Sequence, residues 1–122
     1  GDRSHSVYTG NIRIAKDAGD VDAFQTNRNL KLSEDAWAES VPNLEIENND
    51  VRCSHASAIG PIDADHRFYL ESRGVPPEVA DRLVVAGFFE EVLERFPVPE
   101  VAAAVGHVIA GRLDAVFGGG DR

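Results

Sequence analysis

The segment at residues 51–55 contains the side chains of this sequence that are best suited to carry chemistry. Cys53 is the single cysteine of the chain, and His55 follows two positions later. In a β-strand, residues two positions apart project from the same face, so the thiol and the imidazole would lie side by side. Both groups bind transition metals. Because they supply only two ligands, a complete metal site would need further ligands from another chain or from a substrate.

Composition limits the class of protein. The chain has 122 residues, of which 43% are hydrophobic, and this fits one domain or two small halves. Its net charge of −9 argues against non-specific binding to nucleic acid or to anionic membranes. One cysteine cannot form an internal disulfide, which favours a reducing compartment such as the cytoplasm. No apolar run reaches the ~20 residues that span a bilayer. Because the sequence lacks methionine, we expect it to be a piece of a longer protein.

Residues 1–60 have the period-2 pattern that is typical of β-strands. The alternating apolar or ligand residues are Ile12 and Ile14, Leu30 and Leu32, Leu44 and Ile46, and Val51, Cys53 and His55. Turn-forming residues predict breaks at residues 9–11, 17–20, 33–35 and 48–50. Amide side chains cluster at residues 25–29, and such amides can form ladders in the stacked coils of a β-helix. The pattern alone leaves a β-helix and a sandwich or barrel open as alternatives.

Residues 61–117 have helical spacing and predict three helices. Asp63 is suited to be the N-cap of the first helix and Gly74 the residue that ends it. Pro76 and Pro77 open the second helix, which ends before Pro97, and Pro99 opens the third. The glycine-rich residues 118–122 predict a disordered tail. The fold class is therefore mixed α and β, with strands first and helices second.

Several longer stretches resemble the SufB/SufD family of SUF iron–sulfur cluster assembly proteins. The stretches that carry the resemblance are Asp22-Ala-Phe-Gln-Thr-Asn-Arg-Asn-Leu30, Pro42-Asn-Leu-Glu-Ile46, Asn49-Asp-Val-Arg-Cys-Ser-His-Ala56 and Phe68-Tyr-Leu-Glu-Ser-Arg-Gly74. They occur in the family's order, and the resemblance as a whole extends over nearly the whole chain, from about Ser6 to Leu113. The Cys-Ser-His triplet is similar to the SufD branch. Ala56 departs from the glycine that usually follows the triplet.

The resemblance implies a fold, partners and a site. It implies the C-terminal coils of a right-handed parallel β-helix at residues 1–60 and a helical subdomain at residues 61–117. It implies SufB as a partner of the β-helix and the ATPase SufC as a partner of the helices. It implies that His55 contributes to cluster assembly at the SufB interface, with Cys53 a weaker candidate. No cofactor would be stably bound by this chain, and an Fe–S cluster would be held only transiently in the full complex.

The second predicted helix contains the candidate surface for SufC. Phe88 and Phe89 are adjacent, so they lie about 100° apart on a helix and cannot both face the core. We therefore expect one of them to anchor a partner, with Glu90 and Glu91 at the rim of the contact. Two copies of the chain could also pair through exposed strand edges as a homodimer.

Two alternative functions stay open at this point. The chain could only dock the ATPase, with His55 chemically idle, or it could be the remnant of a metal-dependent β-helix enzyme that uses Cys53 and His55. The sequence has no phosphate-binding glycine loop and no recognised catalytic order, so we do not expect an independent enzyme. His5, His66 and His107 lack metal-ligand spacing and are interpreted as structural or surface residues.

Overall fold

The chain folds into four β-strands followed by three α-helices in the computed structural model, which describes residues 3–118. The strands are β1 (His5–Ile14), β2 (Val21–Lys31), β3 (Trp37–Ile46) and β4 (Val51–Pro61), and the helices are α1 (Ala64–Ser72), α2 (Pro77–Leu93) and α3 (Pro99–Phe117). This confirms the mixed α and β class. The chain divides into two compact units between residues 61 and 62. The predicted tail lies outside the described residues, apart from Gly118, the C-cap of α3.

The strands form two separate parallel pairs. β1 pairs with β3, so that His5 lies opposite Trp37, 32 positions later. β2 pairs with β4, so that Val21 lies opposite Val51, 30 positions later. The chain therefore visits the two sheets alternately, in passes of nearly equal length. Each sheet has two strands and does not close, so a complete β-helix is absent from residues 3–118.

Hydrogen bonds join the loop between β1 and β2 to the loop between β3 and β4. Asn48 Nδ2 donates to the Lys16 carbonyl at 2.8 Å, and the Asp20 amide donates to the Asp50 carbonyl at 2.8 Å. Asp20 has a φ of 56°, a left-handed conformation that aspartate tolerates better than most residues. The turns predicted at residues 17–20 and 48–50 are confirmed, and these side-chain and backbone contacts join one pass of the chain to the next.

The turn predicted at residues 9–11 is wrong, because these residues lie inside β1. Gly10 is buried, and a Cβ atom added to it would collide with the side-chain amide of Gln25 in β2. Glycine within a strand often marks a close approach of another group rather than a turn. Here it leaves room for a side chain that comes from the other sheet.

The ends of α1 agree with the prediction in detail. The Asp63 carboxylate accepts from the Asp65 amide at 2.8 Å and from the His66 amide at 3.3 Å, as an N-cap does. At the other end, Gly74 has a φ of 87°. Its amide donates to Glu71, and the Val75 amide donates to Leu70, which is the Schellman pattern.

The N-cap makes a testable contribution to stability that depends on pH. The two backbone amides hold the pKa of Asp63 below its usual value of 3.8. Because the folded pKa is lowered, the ionised cap stabilises α1 above the unfolded pKa, and this contribution is lost as the pH falls through the folded value. We expect Asp63→Ala to lower the melting temperature at neutral pH, with a smaller difference from the wild type at about pH 3.

Asp63→Asn is the matched control, because an amide caps a helix without titrating. Its melting temperature, followed by circular dichroism, should stay near the wild-type value at neutral pH. If Asp63→Ala differed from the wild type equally at both pH values, ionisation of the cap would have no role.

Helices α2 and α3 pack against each other in an antiparallel pair. A Cβ atom on Gly106 would meet Leu93 Cδ1 at 3.3 Å, so the small residue lets α2 approach closely. Arg82 binds Asp114 at the other end of the pair, with Nη2 and Oδ1 2.6 Å apart. In the described part of this unit, the buried hydrophobic side chains are Ala80, Val85 and Leu113.

Candidate functional site

Strand β4 holds Cys53 and His55 on the same face. Both lie within the strand Val51–Pro61, so their separation of two residues points them in the same direction. Cys53 is a half-buried free thiol, and His55 is exposed. Arg52 and Ser54 point to the opposite face and are exposed. The predicted juxtaposition of thiol and imidazole therefore exists, and His55 is the member of the pair that another molecule can reach more easily.

The neighbouring strand β2 supplies the residues beside this pair. In the parallel register, Ala23 lies next to Cys53 and Gln25 lies next to His55. In-register residues of paired strands share a face, with Cβ atoms about 5 Å apart. On β2 this face is the more buried one, because the odd-numbered residues 21–29 are half-buried while the even-numbered residues 22–28 are exposed. His55 therefore stands beside an amide side chain that enters the interior of the unit.

Gln25 joins the two sheets beneath this face. Its Nε2 donates to the Tyr8 hydroxyl of β1 at 2.9 Å, in the space that Gly10 leaves open. Its Oε1 is buried and has no hydrogen-bond partner. A buried acceptor without a partner costs free energy, so such an atom in a native structure calls for an explanation.

Gln25 and Tyr8, which the structure places close to this face, were not among the predicted site residues. Gln25 belongs to the amide cluster that predicted a ladder, but the facing positions on β4 are His55, Ser57 and Ile59, which cannot continue one. Instead, Asn29 Nδ2 donates to Asn27 Oδ1 within β2. The position of Gln25 within the family-like stretch at residues 22–30 could have marked it as a candidate. Its neighbour across the strands depends on a register that only the fold supplies.

The site does not form a complete metal centre by itself. Across residues 3–118, no three His, Cys, Asp or Glu side chains come together as a metal site would require. His5 stacks edge-on against Trp37, His66 lies beside the Asp63 cap, and His107 is exposed on α3. The arrangement can therefore offer an imidazole, and less readily a thiolate, to a metal whose other ligands come from elsewhere.

The candidate docking residues lie near the C-terminal end of α2. Phe88 is half-buried and packs edge-to-face on Phe89, with ring centroids 5.4 Å apart. Phe89 is 36% exposed, and Val92 and Phe96, three and seven positions later, are 46% and 38% exposed. We call Phe89 and Val92 of α2, together with Phe96 just after the helix, the α2 patch. Glu90 and Glu91 are exposed and follow Phe89 directly in sequence, and Arg95 pairs with Glu91 at 3.3 Å.

The described residues define a protein of alternating parallel strand pairs followed by a helical unit, with a cysteine and a histidine side by side on one strand. Residues 1–88 match the family described as "SUF system FeS cluster assembly, SufBD core domain". The match covers more than half of the chain. The chain therefore belongs to the SufBD family, and the resemblance inferred from its motifs is confirmed.

Curated relatives agree with this assignment. An iron–sulfur cluster assembly SufBD family protein of Mycobacterium tuberculosis is 48% identical over 109 residues, covering 85% of this chain and 28% of the relative. The iron–sulfur cluster assembly protein SufD of Bacillus subtilis is 37% identical over 108 residues, covering 88% and 25%. SufD of Escherichia coli is 37% identical over 93 residues, covering 76% and 22%. The chain thus spans about a quarter of the length of these relatives.

Proposed function

We propose that this chain acts as a SufD-like, non-enzymatic component of iron–sulfur cluster assembly, in a cytoplasmic complex with SufB and the ATPase SufC. The observation that carries the proposal is the position of His55. It is exposed on a strand face shared with Cys53, inside the segment that matches the SufBD core. An exposed imidazole beside a less accessible thiol is an incomplete ligand set, which suits a site completed by a second protein.

The strand unit, in this proposal, is the end of a parallel β-helix. Passes of 32 and 30 residues that return in parallel register are what two successive coils would have. The β-helix coils pair with SufB and so bring His55 to the interface. The parallel register argues against the sandwich or up-and-down barrel that the sequence left open, because those folds are built from antiparallel strands.

Iron is the cargo of this site and not a resident cofactor. A neutral imidazole nitrogen of His55 would supply one iron ligand, and a cysteine of SufB is the expected partner ligand. Cys53 is half-buried, so its thiol would contribute only if the interface opened. The chain would hold a cluster only transiently, because its own residues supply too few ligands to retain one.

The helical unit would dock SufC through the α2 patch. Large apolar side chains that stay exposed are uncommon enough in a group to mark an interface when polar residues rim them. Phe89 lies between Val85, which is buried, and Val92, which is exposed, so the same stripe of α2 turns from core into surface. The acidic residues Glu90 and Glu91 would then select for a basic rim on the partner.

Substitutions on this surface test the docking proposal. We expect Phe89→Ala, and separately the pair Glu90→Lys and Glu91→Lys, to weaken binding of SufC about tenfold or more, the loss typical of a residue that anchors an interface. Phe88→Ala should also weaken binding, since Phe88 supports the Phe89 ring. The measurement is a calorimetric titration of each variant with SufC.

Glu39→Lys is the matched control for charge reversal, because Glu39 is exposed on β3 in the other unit. It should bind SufC as the wild type does. Unchanged affinity in the Phe89 and Glu90/Glu91 variants would show that SufC binds a different surface.

A further inference from the structure

The interior of the strand unit contains one polar contact between its two sheets that the proposed function has not used. Gln25 reaches from β2 to Tyr8 on β1, and Gly10 leaves the space for it. The Tyr8 hydroxyl can either donate or accept a hydrogen bond. In the structure the Gln25 Nε2 satisfies Tyr8, and the Gln25 Oε1 is left buried without a partner.

The residue with the unpaired amide atom is the neighbour of the histidine on the adjacent strand. Gln25 and His55 are register partners on adjacent parallel strands and share a face. Side chains so placed are close enough for an amide and an imidazole to meet. A neutral imidazole has one N–H donor and one bare nitrogen acceptor, so it can satisfy either amide atom. Bound in this way, the ring would be fixed in one tautomer and orientation, and its other nitrogen would point away from Gln25.

We propose that Gln25 is a positioning residue for His55, fixing the imidazole tautomer so that one defined nitrogen faces the partner and the iron. Tyr8 anchors the amide, and Gly10 keeps the slot open. Histidines that bind metals are commonly oriented by a hydrogen bond to their second nitrogen. The effect on cluster assembly rests on the proposed role of His55, whereas the proposed hydrogen bond between Gln25 and His55 does not.

The test follows the His55 tautomer by ¹⁵N NMR of histidine-labelled chain, at a pH where the ring is neutral. In the wild type we expect one tautomer to dominate. Gln25→Met, which has nearly the same shape but no hydrogen-bonding group, should give a mixture of both tautomers. Gln25→Glu keeps an acceptor towards His55 and lets the Tyr8 hydroxyl donate to its other oxygen, so it should restore a single tautomer.

Cluster assembly in the complex with SufB and SufC supplies the second readout. Gln25→Met should lower the rate about tenfold, the low end of the loss seen when the outer partner of a metal ligand is removed, and Gln25→Glu should recover most of it. A wild-type chain with mixed His55 tautomers would overturn the proposal. The ¹⁵N spectrum of the wild type therefore tests the proposal even if Gln25→Met does not fold. An unchanged single tautomer in folded Gln25→Met would overturn it equally.

The two readouts separate this inference from the proposed function. If His55→Ala left cluster assembly intact while Gln25→Met still gave a mixture of both His55 tautomers, the proposed hydrogen bond would stand and the role of His55 in assembly would fail. If His55→Ala abolished assembly while the His55 tautomer was the same in Gln25→Met as in the wild type, the role of His55 would stand and the positioning by Gln25 would fail.

Discussion

His55→Ala is expected to reduce iron–sulfur cluster formation at least about tenfold, because the loss of a metal ligand should cost no less than the loss of a partner that only orients one. The imidazole is exposed on β4, so its removal leaves no buried cavity and should not disturb the strand pairing. The affinity for SufC should be unchanged, because the α2 patch belongs to the other compact unit. The measurement is the rate of cluster formation by the natural protein purified with its own SufB and SufC.

Ser54→Ala is the matched control for this substitution. Ser54 is the exposed neighbour on the opposite face of the same strand, so its variant carries a similar change without touching the face of His55. It should assemble clusters at the wild-type rate. If His55→Ala matched the control in both cluster formation and SufC binding, the chain would serve only as a docking module.

Leu113→Ala is expected to destabilise the helical unit by about 2–3 kcal/mol, in the lower part of the range for large-to-small changes in a core. Leu113 is only 7% exposed, and it is the largest of the buried hydrophobic side chains described in this unit, the others being Ala80 and Val85. Its truncation should therefore remove a major part of the contact between α2 and α3. Chemical denaturation followed by helical circular dichroism measures the loss.

Val116→Ala on the same helix is the control, because Val116 is 62% exposed. A surface substitution of this kind should change stability by less than about 0.5 kcal/mol. Equal, small effects of the two substitutions would mean that α3 is not held by the packing around Leu113. The proposed SufC surface on α2 would then have no fixed support.

The sequence predicted the helical unit well because its signals are local. Asp63 and Gly74 bound α1 through hydrogen bonds to residues at most four positions away, and Pro77 and Pro99 begin α2 and α3. Such signals act within one turn of helix and need no knowledge of the rest of the fold.

The strand unit was harder to predict because its determinants are long-range. Gly10 has the composition of a turn but serves a close approach by Gln25, 15 positions away. The residues that face each other are set by returns of 30 and 32 positions, which the uneven apolar pattern did not reveal. A one-residue error in such a register moves a side chain to the opposite face.

The candidate site was predictable only where its determinants are local. The shared face of Cys53 and His55 follows from strand periodicity alone and is present in β4. That His55 is exposed and Cys53 half-buried depends on neighbours across the sheet. The proposed contribution of Gln25 and Tyr8 depends on the pairing of β2 with β4 and on the contact of β2 with β1, neither of which a single sequence displays.

The most direct test of the account is a calorimetric titration of this chain with SufC from the same source, after circular dichroism has shown that the chain is folded. We expect binding with a stoichiometry near one to one, which is lost when the α2 patch is substituted and is retained in His55→Ala. A folded chain that released no heat with SufC and did not retain it on an affinity column would contradict the account, because the proposed docking surface lies within these residues.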